Sequence, residues 1–120
     1  MTYTMLIVDD SRVSRLMIRT LVATQRPHWH FLEASNTQEA IDHAIRESIQ
    51  LAAMDLNTSS IDGFEAARQL HALQDDTKIV LLTANVEQSV RERAQHAQLH
   101  FIGKPVTEQT VADMLAIAEG

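Results

Sequence analysis

Leu51-Ala52-Ala53-Met54-Asp55-Leu56-Asn57 is a short apolar run that stops abruptly on an acid. Runs of this kind make strands that are buried on both faces of a parallel sheet. An unpaired carboxylate within such a run would cost on the order of several kcal/mol. Asp55 is therefore expected where the strand emerges from the sheet. In an open α/β fold, that edge is where ligands bind and chemistry is done.

The same design recurs on both sides of this stretch. Thr4-Met5-Leu6-Ile7-Val8 is a continuous apolar run ending on Asp9-Asp10, and Lys78-Ile79-Val80-Leu81-Leu82 ends on Thr83-Ala84. Leu99-His100-Phe101-Ile102-Gly103 ends on Lys104-Pro105, whereas Phe31-Leu32-Glu33-Ala34 is more polar, as an edge strand would be. Helical patterns fill the intervals. Ser11 is placed to cap a helix reaching about Thr24, with Val13, Leu16, Met17 and Leu21 on one face. Pro27 breaks that pattern, and His28-Trp29-His30 falls in or beside the turn. Asn36 and Glu39 make a capping-box-like start for a helix near Thr37 to Ser48, whose core face would carry Ala40, Ile41, Ala44 and Ile45.

Thr58-Ser59-Ser60-Ile61-Asp62-Gly63 is a loop of turn residues, with Asp62-Gly63 read as turn chemistry rather than metal binding. A third helix follows with Phe64, Ala67, Leu70 and Leu73 at helical spacing, closed by Asp75-Asp76. Val86 to Gln98 is a fourth helix with a strongly charged surface. Thr107 caps a fifth, carrying Val111, Met114, Leu115 and Ala118. Five strands alternating with five helices predict an α/β fold, a doubly wound five-stranded parallel sheet covered on both faces. Right-handed crossovers and the polar second strand favour the order 2-1-3-4-5. That order sets the exits of strands one and three side by side at the switch point.

At 120 residues the chain is expected to form one domain over 1–120. No apolar run approaches the roughly 20 residues of a membrane helix, and the N-terminus lacks a secretory pattern. The absence of cysteine excludes disulfides and thiolate metal sites, and a cytoplasmic location is expected. A net charge of −6 disfavours binding of nucleic acid by the domain itself. The histidines suggest no zinc site. His96 and His100 belong to different elements, and no carboxylate is placed to complete them or His28 with His30.

In the predicted order, the four strands that end on Asp9-Asp10, Asp55, Thr83 and Lys104 are contiguous, so these groups converge. Three nearby carboxylates repel one another and demand a cation, and hard oxygen ligands at an open site suit Mg²⁺. Asp10 and Asp55 are expected to bind it directly, with the backbone carbonyl of Asn57. Asp9 stands close behind. Asp55 could then attack a phosphoryl group in line, while Lys104 and the Thr83 hydroxyl stabilise its oxygens. Taken singly, Asp9-Asp10 could merely cap a helix, Thr83 end a strand, Lys104 be a solvated charge and Phe101 fill the core.

Val-Asp-Asp-Ser at 8–11, Met-Asp-Leu-Asn at 54–57 with Asp62-Gly63, Leu-Thr-Ala at 82–84 and Phe-Ile-Gly-Lys-Pro at 101–105 resemble the receiver domain of two-component response regulators. Order and spacing match along essentially the whole chain. The resemblance implies phosphorylation of Asp55 by a sensor histidine kinase or histidine phosphotransfer protein, with Mg²⁺ and self-dephosphorylation rather than true enzymatic turnover. It implies a switch in which Thr83 moves toward the phosphoryl group and Phe101 turns inward. This remodels the face of the fourth helix, fifth strand and fifth helix for a partner or output domain. Val90, Arg91, Ala94 and Phe101 are expected on that face. A cis bond at Lys104-Pro105 is also implied. Two positions depart from the pattern: Ser59 stands where proline is common, and Gly103 replaces a larger apolar residue.

Three alternatives share parts of this pattern. An aspartyl-phosphate phosphatase of the haloacid dehalogenase type would carry Asp-x-Asp after the first strand, where this chain has Asp9-Asp10-Ser11. A flavin carrier needs a phosphate-cradling loop there, and two acids would repel phosphate. A pseudo-receiver would keep the fold as a protein-binding module without phosphotransfer.

Overall fold

The computed structural model describes residues 3–56, 62–84 and 88–120. The elements run β1 (Thr4–Val8), α1 (Arg12–Gln25), β2 (His30–Ala34), α2 (Thr37–Arg46) and β3 (Leu51–Asp55). They continue with α3 (Gly63–Leu73), β4 (Lys78–Thr83), α4 (Gln88–His96), β5 (His100–Gly103) and α5 (Glu108–Glu119). All strand pairings are parallel, and the sheet order is β2-β1-β3-β4-β5, as the sequence predicted.

Alternation along the central strands divides the core in two. Leu6, Val8, Ala52, Met54 and Leu81 pack on one face with α2, α3 and Ala94 of α4. Met5, Ile7, Leu51, Ala53, Val80 and Leu82 pack on the other, with Ile18 and Val22 of α1 and Val111, Met114 and Leu115 of α5. Fully burying a side chain of this size contributes about 1.5–3 kcal/mol, so the three central strands hold the sheet together.

Helix starts are fixed locally. The side chains of Ser11, Asn36, Asp62 and Thr107 accept backbone N–H bonds from Ser14, Glu39, Phe64 with Glu65, and Thr110, respectively. Asp62 thus acts as a helix cap, a role the sequence had not assigned to it beyond a place in the turn. The Glu39 carboxylate reaches back past Asn36 to the Ser35 amide, one residue beyond the contact of a full capping box. Gln74 ties two helix ends together. Its amide donates to the carbonyls of Ala44 and Glu47, and its oxygen accepts from the Ile49 amide.

Several expected faces are corrected. Val13, Leu16 and Met17 recur on one face of α1, but that face is turned to solvent, and Leu16 is 60% exposed. The helix carries a second apolar stripe, Ile18 and Val22, and this stripe meets the sheet. Ile45 of α2 and Leu73 of α3 are likewise exposed, although Ala44 and Leu70 in the same last turns are buried. Ala66 is buried in place of Leu73. Trp29 is buried, stacked on Tyr3 with ring centroids 5.0 Å apart. The turn is therefore anchored by apolar packing at the end of the sheet opposite the strand exits. Ala94 is buried on the core face of α4, so it does not belong to the exposed signalling surface.

Candidate functional site

Asp55 is the last residue of β3 and is 5% exposed, because β1 and β4 flank it. The next amide, Leu56, donates to the Leu82 carbonyl, so the chain stays tied to β4 just past the acid. Lys104 lies beyond the end of β5, with its amide donating to the Thr83 carbonyl at 2.8 Å. From there its Nζ reaches Asp55 Oδ2 at 2.6 Å. This charge-assisted contact joins residues 49 apart. The Lys104–Pro105 bond is cis, as the resemblance implied. Thr83 closes β4 and is buried.

The first strand supplies the other acids. Asp9 is buried, its Oδ1 accepts the Ser11 amide at 2.9 Å, and its Oδ2 is buried with no hydrogen-bond partner. Burial pushes the Asp9 carboxyl above the ordinary carboxylate range, and the neighbouring Asp55 charge adds to this. The Ser11 amide and the Ser14 hydroxyl oppose the shift. Asp10, next in the chain, is exposed. Asn57, expected to offer a carbonyl ligand, lies outside the described residues, as does Ser59.

Asp9, Asp55, Thr83 and Lys104 therefore share one end of the sheet. Asp9 and Asp55 interact directly, although no group of three acid or imidazole side chains among the described residues converges as a formed metal site. The donor set still fits a hard divalent cation. A buried carboxylate oxygen without a partner, beside a second buried acid, is the kind of group a cation would satisfy.

Phe101 is half-buried against the first core cluster, with the Arg91 guanidinium 5.6 Å from its ring centroid. Arg93 of the same helix lies 4.0 Å from the Phe64 ring centroid of α3. The sequence placed Arg91 on the expected signalling face and Arg93 only among the surface charges of the fourth helix, and it gave neither ring contact, because cation–π pairing depends on where α4 lands. His30 Nε2 contacts Glu47 Oε1 at 3.3 Å, a carboxylate that spacing alone had not placed near the histidines. No helix among the described residues is long and apolar enough to cross a membrane.

Comparison with known proteins agrees with this geometry. Residues 5–116 match the family model described as response regulator receiver domain. The chain is 27% identical over 116 residues to chemotaxis protein CheY of Bacillus subtilis, covering 96% of both chains. It is 31% identical to the response regulator protein VraR of Staphylococcus aureus, covering 94% of this chain and 54% of VraR. The chain thus spans about half the length of VraR and of a Pseudomonas aeruginosa transcriptional regulator that it also matches. A response regulator of Burkholderia pseudomallei, solved with a phosphorylated aspartic acid, calcium ion and citrate, superposes with a TM-score of 0.82 at 22% identity. That match covers 98% of this chain and 69% of the other. With a receiver fold, an acid at the exit of β3 and a family match over nearly its whole length, the chain belongs to the response regulator receiver domains of two-component signalling.

Proposed function

We propose that Asp55 is the phosphoacceptor of a two-component phosphorelay. The observation that carries this reading is the Asp55–Lys104 pair, a buried strand-end carboxylate with a cation already 2.6 Å away. An Asp55 oxygen forms the O–P bond as the P–N bond of a donor phosphohistidine breaks. The imidazole leaves with the bonding electrons. Lys104 passes from Asp55 to the phosphoryl oxygens, and the Thr83 hydroxyl donates to them. Asp9, Asp10 and Asp55, with the Asn57 carbonyl, would hold Mg²⁺, which when bound neutralises the acids and the incoming phosphoryl group. The aspartyl-phosphate and calcium ion of the Burkholderia pseudomallei structure support this assignment by analogy.

The donor is a sensor histidine kinase or a histidine phosphotransfer protein. The exposed apolar face of α1 suits its docking. Met17 also lines a cleft of about 360 Å³ with Lys104, Pro105 and Val106, beside the reacting end. The output is altered affinity of the α4-β5-α5 face, with Phe101 and Arg91 at its centre, for a downstream protein or output domain. The chain acts as one receiver domain over 1–120, alone or within a longer regulator.

Incubation with acetyl phosphate and Mg²⁺, read by intact mass, tests this directly. A base-labile gain of one phosphoryl group in the wild type, absent in Asp55→Asn, is expected. No gain, under conditions that label a control receiver, would favour a pseudo-receiver that binds partners unphosphorylated.

A further inference from the structure

The acidic corner has a support outside the reacting groups. Asp9 is held at its peptide on both sides. Its N–H donates to the Ala34 carbonyl of β2 at 3.0 Å, and its C=O accepts from Arg15 Nη1 at 2.7 Å. The Arg15 side chain is only 14% exposed, and its Nε donates to Glu33 Oε1 at 2.9 Å. Glu33 is held in turn by Arg19, whose Nη1 lies 3.1 Å from Oε2. One planar guanidinium therefore bridges β2 to the point where β1 turns into Asp10 and Ser11. Arg is suited to this because its donors are fixed in a fork and can serve two acceptors at once.

With the peptide pinned and Oδ1 taken by the Ser11 amide, Asp9 has little freedom to turn its unpartnered Oδ2 elsewhere. We infer that Arg15, clamped by Glu33, is a positioning residue for the divalent-cation site. It sets the affinity of the Asp9–Asp10 corner for Mg²⁺ without touching metal or phosphoryl group. The inference rests on reading that corner as the cation site. Outer-shell partners of metal ligands commonly change affinity by about 10–100-fold when removed.

Charge and positioning predict opposite signs here. Removing a nearby positive charge would, by Coulomb attraction alone, tighten binding of a cation. Loss of positioning weakens it. The experiment is a Mg²⁺ titration followed by backbone amide NMR shifts of residues 9–15, on the wild type, Arg15→Met, Arg15→Lys, Glu33→Gln and the double variant of Arg15→Met with Glu33→Gln. Urea stability is measured in parallel without metal. Trp29 fluorescence is unsuitable because Trp29 lies at the far end of the sheet.

Arg15→Met is expected to raise the Mg²⁺ Kd by about 10-fold or more. Arg15→Lys should fall between it and the wild type, since an ammonium cannot reproduce the fork. Glu33→Gln combined with Arg15→Met should add little to Arg15→Met alone. A Kd that is unchanged or tighter in folded Arg15→Met, even with lower stability, would make Arg15 merely structural and overturn the inference. If Arg15→Met does not fold, Arg15→Lys decides it, because it keeps the charge and loses the fork: a Kd equal to that of the wild type would overturn the inference. Absence of saturable Mg²⁺ shifts in the wild type would instead overturn the reading of the corner as a cation site.

Discussion

Replacing Asp9 by asparagine should stabilise the metal-free protein, although it removes a group proposed to serve function. Asp9 is 1% exposed, its Oδ2 lacks a partner, and the Asp55 charge lies close by. Its carboxyl is raised above the ordinary carboxylate value by burial first and by Asp55 in addition. The native state thus holds this proton more tightly than the unfolded chain does. Stability linked to Asp9 is greatest below the unfolded value and falls as pH rises through the native one, so the penalty grows with pH when no cation is present. Asparagine keeps an oxygen for the Ser11 amide, loses the charge and can donate toward Asp55. Relief of an unsatisfied buried polar group is worth about 1–3 kcal/mol. At about 4 °C per kcal/mol for a domain of this size, Tm should rise by roughly 4–12 °C in EDTA. Urea unfolding at pH 7, with and without Mg²⁺, is the assay. Wild type should gain about 2.7 kcal/mol at a Mg²⁺ concentration near 100 times Kd, and Asp9→Asn should gain much less. An Asp9→Asn protein less stable than wild type in EDTA, or one with an undiminished Mg²⁺ increment, would refute the account.

Lys104→Met removes the ion pair of a buried Asp55. Because the lysine side chain is 27% exposed, the loss in EDTA should be about 1–3 kcal/mol, below the range for fully buried pairs, by urea denaturation. Gln98 follows α4 with φ of 59°, and the Leu99 amide closes back on the Ala94 carbonyl as in a glycine-terminated helix. Gln98→Gly should therefore raise stability by about 1 kcal/mol, read as a higher Tm. Gln74→Ala deletes three side-chain hydrogen bonds to the end of α2 and to the segment leading into β3 and should cost about 2–3 kcal/mol in urea. Arg68 holds the exposed Glu65 carboxyl down to about 2, so its NMR titration should lie there and move up in Arg68→Ala. Any stability from that pair is present above the unfolded value of 4.5 and is lost as pH falls toward 2.

The sequence by itself determined the strands, the helix caps and the fold order, because these depend on short-range physics. An apolar run of five residues between polar stops has few alternatives to a buried strand. Ser11, Asn36, Asp62 and Thr107 each satisfy an amide two or three residues away. Strand-end acids also place themselves, since an unpaired charge is costly inside the sheet. Tertiary structure alone decided which stripe of a two-striped helix is buried. Val13, Leu16 and Met17 have the same spacing logic as Ile18 and Val22, and only docking against the sheet separates them. It also decided the contacts between distant residues: Lys104 on Asp55, Arg15 between Glu33 and the Asp9 carbonyl, and Arg93 on Phe64. Such pairs carry no local signal, because their geometry exists only once β1, β3 and β5 lie parallel with their exits at the same end of the sheet.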